Sequence, residues 1–280
     1  MLKITTRNAR FQQWQALLTN RAKRQRSGEF LVQGVRPITV AVERGWEFHA
    51  LLYPDGLALS SWGRDILAKV EAPRMALAPE LMRELGEKDE ESPELLAVAR
   101  LPEDKLDRIP AAADMLVVVF DRPAAPGNIG TLVRSADAFG ASGVIITGHA
   151  ADPYDPRAVR ASTGSLFAIP VVRVASHREV LSWVADMRGH GVSAEIVGTD
   201  EHGAVDVASH AFTGPSLIVI GNETRGLSAA WRESCGQTVR IPITGTASSL
   251  NAATAATVVL YEAARQRALA ARPAEGGVRG

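Results

Sequence analysis

MLVVVFDRPAAPGNIGTLVRSADAFGASGVIIT, residues 115–147, decides the reading of this chain. It opens on the unbroken apolar run Met115–Phe120, rich in β-branched valine, and closes on a second run, Gly143–Thr147. A helical pattern lies between them. Two more such runs follow, Ala194–Gly198 (AEIVG) and Ser216–Ile220 (SLIVI). A strand wetted on one face alternates polar and apolar residues, whereas a continuous apolar run is a strand buried on both faces, as in a parallel sheet with helices on either side. The expectation is an open, mostly parallel α/β domain over residues 114–270.

Upstream the rhythm differs and reads as small α/β. Arg10–Asn20 has helical spacing through Phe11, Trp14, Leu17 and Leu18, Glu29–Gln33 is strand-like, and Arg36–Arg44 is helical up to a stop at Gly45. Phe48–Tyr53 is a short strand closed by the turn Pro54-Asp55-Gly56, and Glu94–Arg100 is the last strand of this part. The boundaries expected are a first domain over 1–108, a linker over 109–113, the α/β domain over 114–270, and a Gly/Pro-rich flexible tail over 271–280. Trp14 and Trp46 are candidate core or domain-interface residues, and there is no internal repeat.

With 280 residues, 46% hydrophobic, the chain can bury one or two sizeable cores. Its 31 basic and 31 acidic side chains cancel, which argues against a simple nucleic-acid clamp. The charge is uneven, however. Residues 1–45 hold nine Lys/Arg against Glu29 and Glu43, and the compensating acid is the run Glu84, Glu87, Asp89, Glu90, Glu91 and Glu94. Such asymmetry points to polyanion binding at the basic end. The single cysteine, Cys235, excludes an intrachain disulfide and a Cys-based metal site, and the six histidines show no metal spacing. No apolar leader region and no membrane-length apolar run is present, so a soluble cytoplasmic protein is expected.

Ligands in open α/β sheets collect at the carboxyl ends of the strands. After Met115–Phe120 comes a loop with Asn128, read as a helix start because its side-chain oxygen can accept an orphan N–H, and Arg134 follows at i+6. On spacing alone this is equally a cap and a surface arginine. After Ser216–Ile220 comes Gly221-Asn222-Glu223-Thr224-Arg225-Gly226-Leu227-Ser228, more polar than a turn requires, with Ser228 able to cap the next helix. GxGxxG and the P-loop lysine are both missing. A third segment, Ile241-Pro242-Ile243-Thr244-Gly245 through Ser248-Ser249-Leu250-Asn251, leads into a small-residue helix, with Ser248 or Ser249 as the cap. Its Ala/Thr-rich face suits a tight subunit interface or a close crossing of chain segments.

In order and spacing the three segments resemble the SpoU (TrmH-like) branch of the SPOUT RNA methyltransferases. The motifs are Asn128-Ile-Gly-Thr-Leu-Val-Arg134-Ser, Ile220-Gly221-Asn222-Glu223-x-x-Gly226-Leu227-Ser228, and Ile241-Pro242-Ile243-x-Gly245 with Ser249-Leu250-Asn251. More loosely, residues 8–36 are similar to the accessory substrate-binding domain of larger members, with Gln33 where the family has glutamate before Gly34. The resemblance implies a deep trefoil knot, an exception to the rule against threaded chains, and a homodimer with its active site at the interface. It implies S-adenosyl-L-methionine (SAM) as cofactor, held by Gly198, Thr199, Ile220, Gly221, Asn222, Ile241, Ile243 and Leu250, with no metal.

The same resemblance implies methyl transfer to a ribose 2′-hydroxyl of RNA, ribosomal rather than transfer RNA. The residues implied are Arg134 nearest the hydroxyl, Asn128 orienting it, Glu223 anchoring Arg134 or the ribose, and Ser249 and Asn251 donating hydrogen bonds, with Asn251 able to brace Glu223. Arginine stays protonated in proteins, so Arg134 reads as a positioner and charge stabiliser rather than a literal base. Arg7, Arg21, Lys23, Arg24, Arg26 and Arg225 are the candidate RNA phosphate contacts, a mode that makes binding salt-dependent. The competing readings are a tRNA 2′-O-methyltransferase, a non-catalytic RNA-binding protein of the same fold, and a small-molecule α/β enzyme. Five co-occurring polar site residues speak against a mere binder, and the missing phosphate-cradle glycines speak against the last.

Overall fold

A computed structural model describes residues 2–87 and 92–271. Asp89, Glu90 and Glu91 of the acidic run, and the expected tail beyond Ala271, lie outside the described residues. In chain order the elements are β1 (Leu2–Ile4), α1 (Ala9–Thr19), α2 (Arg21–Ser27), β2 (Glu29–Gln33), α3 (Val35–Glu43), β3 (Phe48–Pro54), α4 (Ser61–Lys69), β4 (Arg74–Leu77), α5 (Pro79–Leu85) and β5 (Leu96–Arg100). They continue as β6 (Leu116–Asp121), α6 (Pro126–Ala138), β7 (Gly143–Thr147), α7 (Pro156–Ser162), α8 (Ser165–Ala168), β8 (Val171–Val174) and α9 (His177–Gly189). The last are β9 (Glu195–Thr199), β10 (Val205–Asp206), β11 (Ser216–Ile220), α10 (Ala229–Ser234), β12 (Gln237–Arg240) and α11 (Ala252–Ala270).

The chain divides into two compact units, 1–103 with 152–168, and 104–151 with 169–280. The first carries a five-stranded mixed sheet in the order β1-β4-β3-β5-β2. One face packs on α1 and α5 through Phe11, Trp14, Leu17, Leu31, Leu52, Leu77 and Met82. The other explains why 152–168, expected within the second domain, packs with the first unit instead. Phe30 projects from β2 opposite Leu31 and needs cover. Tyr154 and Phe167 supply it, with ring centroids 4.9 and 6.1 Å away, and Trp46 closes the cluster by donating its indole N–H to the Phe167 carbonyl at 3.1 Å.

Arg24, expected to contact RNA, anchors this insertion. It is 1% exposed, and its Nε donates to the Asp152 carboxylate at 2.8 Å while Nη1 donates to the Leu17 carbonyl at 2.6 Å. A charge that deep persists only when paired and hydrogen-bonded, so Arg24 belongs to the core, not to an RNA surface.

The second unit is a seven-stranded sheet, β10-β12-β9-β11-β6-β7-β8, in which every pairing is parallel. Val117, Val118, Val119, Leu217, Ile218 and Val219 are fully buried at its centre, as continuous apolar runs require. Helix α11 packs its Ala253, Ala256, Leu260 and Ala263 face inward and pairs with α6 through Ser135 and Thr257, whose hydroxyls stand 2.7 Å apart. At the far end of α11 Arg267 donates to the carbonyls of Phe212, Gly214, Met115 and Asp114, tying the approaches to β6 and β11.

Replacing Arg24 by alanine removes the guanidinium that balances the buried Asp152 carboxylate and is expected to cost about 3–5 kcal/mol. The measurement is the urea midpoint of unfolding; an unchanged midpoint would show that the pair holds nothing.

Candidate functional site

Four loops emerge at the carboxyl ends of β6, β9, β11 and β12 and are knotted together by side chains. Helix α6 starts earlier than expected. Its cap is Ala125 with Pro126 in the first turn, so Asn128 sits inside the helix rather than at its start, and Ala125 has no side chain with which to cap. The carboxylate of Glu223, from the loop after β11, does that work instead. It accepts the backbone N–H of Ala124 at 2.9 Å and of Ala125 at 3.1 Å, and the Asn128 amide at 3.1 Å. Asn128 Oδ1 in turn accepts from Asn251 Nδ2 at 3.1 Å. Asn251, not Ser248 or Ser249, caps α11, its Oδ1 accepting from Ala253 and Thr254. One chain of bonds, Asn251–Asn128–Glu223, therefore joins all three motifs, and Asn251 braces Glu223 through Asn128.

This sets the chemistry open to Glu223. Burial pushes its pKa up, but the N–H donors of Ala124, its own backbone, Asn128 and Ala125 outweigh burial, and the group titrates below an ordinary glutamate. A carboxylate so saturated is a poor proton acceptor. It fastens the start of α6 and does not hold Arg134, as the sequence reading allowed. Arg134 is exposed on α6, with no side-chain hydrogen bond or ion pair among the described residues.

The loop after β11 is built tightly. Asn222 and Gly226 exchange backbone hydrogen bonds of 3.0 Å each, and Gly226 takes φ +64° to close the turn. A Cβ at Gly221 would stand 2.3 Å from the Gly226 carbonyl carbon and 2.4 Å from Leu227 N, so only glycine fits. The close approach is to the loop's own return strand. Ser228 caps α10 as expected, accepting from Trp231 N.

These loops surround a cavity of about 520 Å³. Thr199, Ile220, Gly221, Asn222, Ile241, Ile243 and Leu250 line it, as do Glu223, Ser249 and Arg225. Gly198 does not. It is buried below, where a Cβ would meet Leu227 at 2.8 Å and Cys235 at 2.9 Å. Burial pushes the Cys235 thiol up to about 11, against the lowering effect of Arg232, so it is a packed neutral group. Among the remaining predicted RNA contacts, Arg21 and Arg26 are exposed on α2, Lys23 is half-buried there, and Arg7 is ion-paired with Glu84 at 2.9 Å.

Several site residues escaped the sequence reading. Asp200 and Arg232, paired at 2.9 Å, line the cavity with Glu201 and His202. Asp121 and Arg122 sit beneath the Asn222–Gly226 loop. A carboxylate ending a buried strand was the available signal for Asp121; nothing local marks Asp200, whose partner lies on a different element.

Residues 8–97 match the SpoU L30e-like domain, and residues 115–261 match the SpoU rRNA Methylase family. The chain is 60% identical over 265 residues to the 23S rRNA (uridine(2479)-2'-O)-methyltransferase of Streptomyces viridochromogenes, covering 95% of this chain and 92% of that one. The chain belongs to the SpoU rRNA methylase family. The crystal structure of the SpoU methyltransferase AviRb from that organism, in complex with the cofactor AdoMet, superposes with a TM-score of 0.90 at 60% identity, covering 94% of this chain and 99% of that one. An AdoMet-bound rRNA methyltransferase from Sinorhizobium meliloti gives 0.82 at 29% identity, with 94% and 97% covered. This SpoU member is thus a SAM-dependent RNA ribose methyltransferase. The cavity fits the cofactor: Ile243 and Leu250, each 38% exposed, present apolar surface to it alongside backbone groups of the Gly221–Gly226 loop.

Gly221→Ala must push the Gly226–Leu227 backbone aside. It is expected to weaken SAM binding at least about tenfold, the equivalent of a modest overpacking cost. Titration calorimetry on the full chain, with unchanged far-UV circular dichroism, checks this; unaltered affinity would place the cofactor away from this loop.

Proposed function

We propose that this protein methylates the 2′-hydroxyl of a uridine in 23S rRNA, with SAM bound in the cavity at the carboxyl ends of β9, β11 and β12. The single observation that carries the reading is the Asn251–Asn128–Glu223 chain beside that cavity, in a chain 60% identical over nearly its whole length to an enzyme named for that reaction. An rRNA substrate places the work in the cytoplasm, and among the described residues no helix is long and apolar enough to cross a membrane.

When bound, SAM supplies a methyl group on a positively charged sulfur. The chain's own residues must position the hydroxyl and steady the charge on its oxygen while the proton passes to bulk water. Arg134 is assigned that part. It keeps its charge in any protein setting and carries five N–H donors in a fixed fork, and its side chain has no partner among the described residues. Asn128, held by Glu223 and Asn251, fixes the first turns of the helix that carries Arg134. Ser249, on the cavity wall, is assigned a hydrogen bond to the ribose, and Arg225 and the exposed Arg21 and Arg26 contacts to phosphate. Lys23, half-buried on α2, and Arg7, paired with Glu84, complete the candidate set.

Arg134 does not line the cavity of its own chain, so the working enzyme is a homodimer whose active site includes the α6 surface of a second copy. Exposed Tyr261 and Leu269 on α11, beside α6, support that interface. The knot expected from the resemblance belongs to the same reading: residues 241–251 return to line the cavity formed by the loops after β9 and β11.

Arg134→Ala is expected to reduce methyl transfer at least about a hundredfold while leaving SAM affinity within about twofold. The readout is 2′-O-methyl mapping on 23S rRNA after reaction in vitro, beside calorimetry. Retained methylation would remove Arg134 from the chemistry; methylation of tRNA alone would overturn the substrate.

A further inference from the structure

We propose that Asp121 and Arg122 are positioning residues for the cofactor, acting through the Asn222–Gly226 loop; the inference rests on the reading of the cavity as the SAM site. Two consecutive residues at the end of the central strand β6 hold that loop at three points. The Arg122 carbonyl accepts Asn222 Nδ2 at 2.7 Å, and the Arg122 guanidinium reaches the Gly226 carbonyl at 3.4 Å. Asp121 Oδ2 accepts the backbone N–H of Ser228 at 3.0 Å. The entry, the closing glycine and the exit of the loop are thus clipped to β6. Gly221, Asn222 and Gly226 meanwhile present their other side to the cavity.

The clip is itself rigid. Asp121 is 3% exposed and accepts Arg122 Nε at 3.1 Å, Arg122 Nη2 at 3.0 Å and the Thr147 hydroxyl at 3.3 Å. Thr147 stands on the neighbouring strand β7 and also receives the Trp231 indole N–H at 3.3 Å. A buried carboxylate with several donors and a bidentate arginine has one arrangement that satisfies every group.

Arg122 also takes φ +51°, which a side-chain-bearing residue adopts at a cost. Gly148 makes room for it, since a Cβ there would stand 2.8 Å from Arg122 Cγ. A glycine at 122 would fit this backbone with less strain. The chain keeps an arginine, and what the arginine adds is the hold on Asp121 and Gly226. An arginine held against its backbone preference, with its donors divided between Asp121 and the Gly226 carbonyl, is placed for that loop.

The test uses the full chain with Asp121→Asn and, separately, Arg122→Gly, which removes the guanidinium's hold on Asp121 and Gly226 while suiting the backbone. Each is expected to weaken SAM binding about tenfold by calorimetry, the loss of one charge-assisted hydrogen-bond group, and to raise KM for SAM more than it lowers kcat. The two losses combined are expected to fall short of additive, since both act on one clip. Amide exchange at Gly226 and Ser228 should accelerate. Arg267→Met, which loosens the same unit far from the cavity, serves as the comparison: it is expected to lower Tm with SAM affinity unchanged. Affinities of Asp121→Asn and Arg122→Gly within twofold of the parent, or falling only as far as Arg267→Met falls, would overturn the proposal while leaving the cofactor site intact. A parent protein that binds no SAM would overturn both.

Discussion

The carboxylate of Glu223 is the constraint on which the site depends. Helix α6 begins at an alanine followed by a proline, a start that supplies no side-chain acceptor for its first N–H groups. Backbone donors at a helix start must be met somewhere, and the positive end of the helix dipole favours an anion there. The anion arrives from a loop about a hundred residues later. That single borrowed cap fixes the start of the helix carrying Arg134 relative to the loop that lines the cavity. It also accounts for the depressed titration of Glu223, because its lone pairs are spent on N–H donors. The Asn128 amide extends the cap to Asn251, which caps the next helix of the site in the ordinary way.

A parallel sheet buried on both faces leaves polar chemistry few places to go. Side chains along β6 and β11 are apolar throughout their middle turns, so Asp121, Asn222 and Glu223 all cluster where the strands end. Position along a strand therefore sorts function from packing. The ends of the apolar runs are therefore walls of the cavity. In the first unit the same logic runs through a different residue. The sheet has two faces to cover, and α1 and α5 cover only one, so Phe30 is buried by aromatic residues that the chain delivers much later, in 152–168.

What was legible in the sequence was local. Continuous apolar runs announced four strands of the parallel sheet, β6, β7, β9 and β11, almost to the residue, and Ser228 announced its helix because a cap bonds within its own first turn. What was not legible needed partners far along the chain. Asn128 has the chemistry of a cap, and only Glu223 shows that it is not one. Arg24 sits among three cationic neighbours within a few residues, and nothing in that segment distinguishes it; its burial is decided by Asp152. Gly198 was assigned to the cofactor by motif position, yet its missing Cβ serves Leu227 and Cys235. Side chains of identical local appearance thus parted according to contacts at a sequence distance of about a hundred residues or more.

The same distinction bears on how the proton leaves the ribose. Three carboxylates close to the motifs are already engaged. Glu223 is filled by N–H donors, Asp121 is buried under Arg122, Thr147 and Ser228, and Asp200 is paired with Arg232. A base must have a free lone pair directed at the hydroxyl, and these three already accept N–H or guanidinium donors. The carboxylates of the site are structural cement for its loops. Arg134, a cation with no side-chain partner among the described residues, has its strength in orienting an oxygen and tolerating negative charge on it rather than in taking a proton. The catalytic demand is thereby shifted from basicity to placement, which is what the borrowed cap and the β6 clip provide.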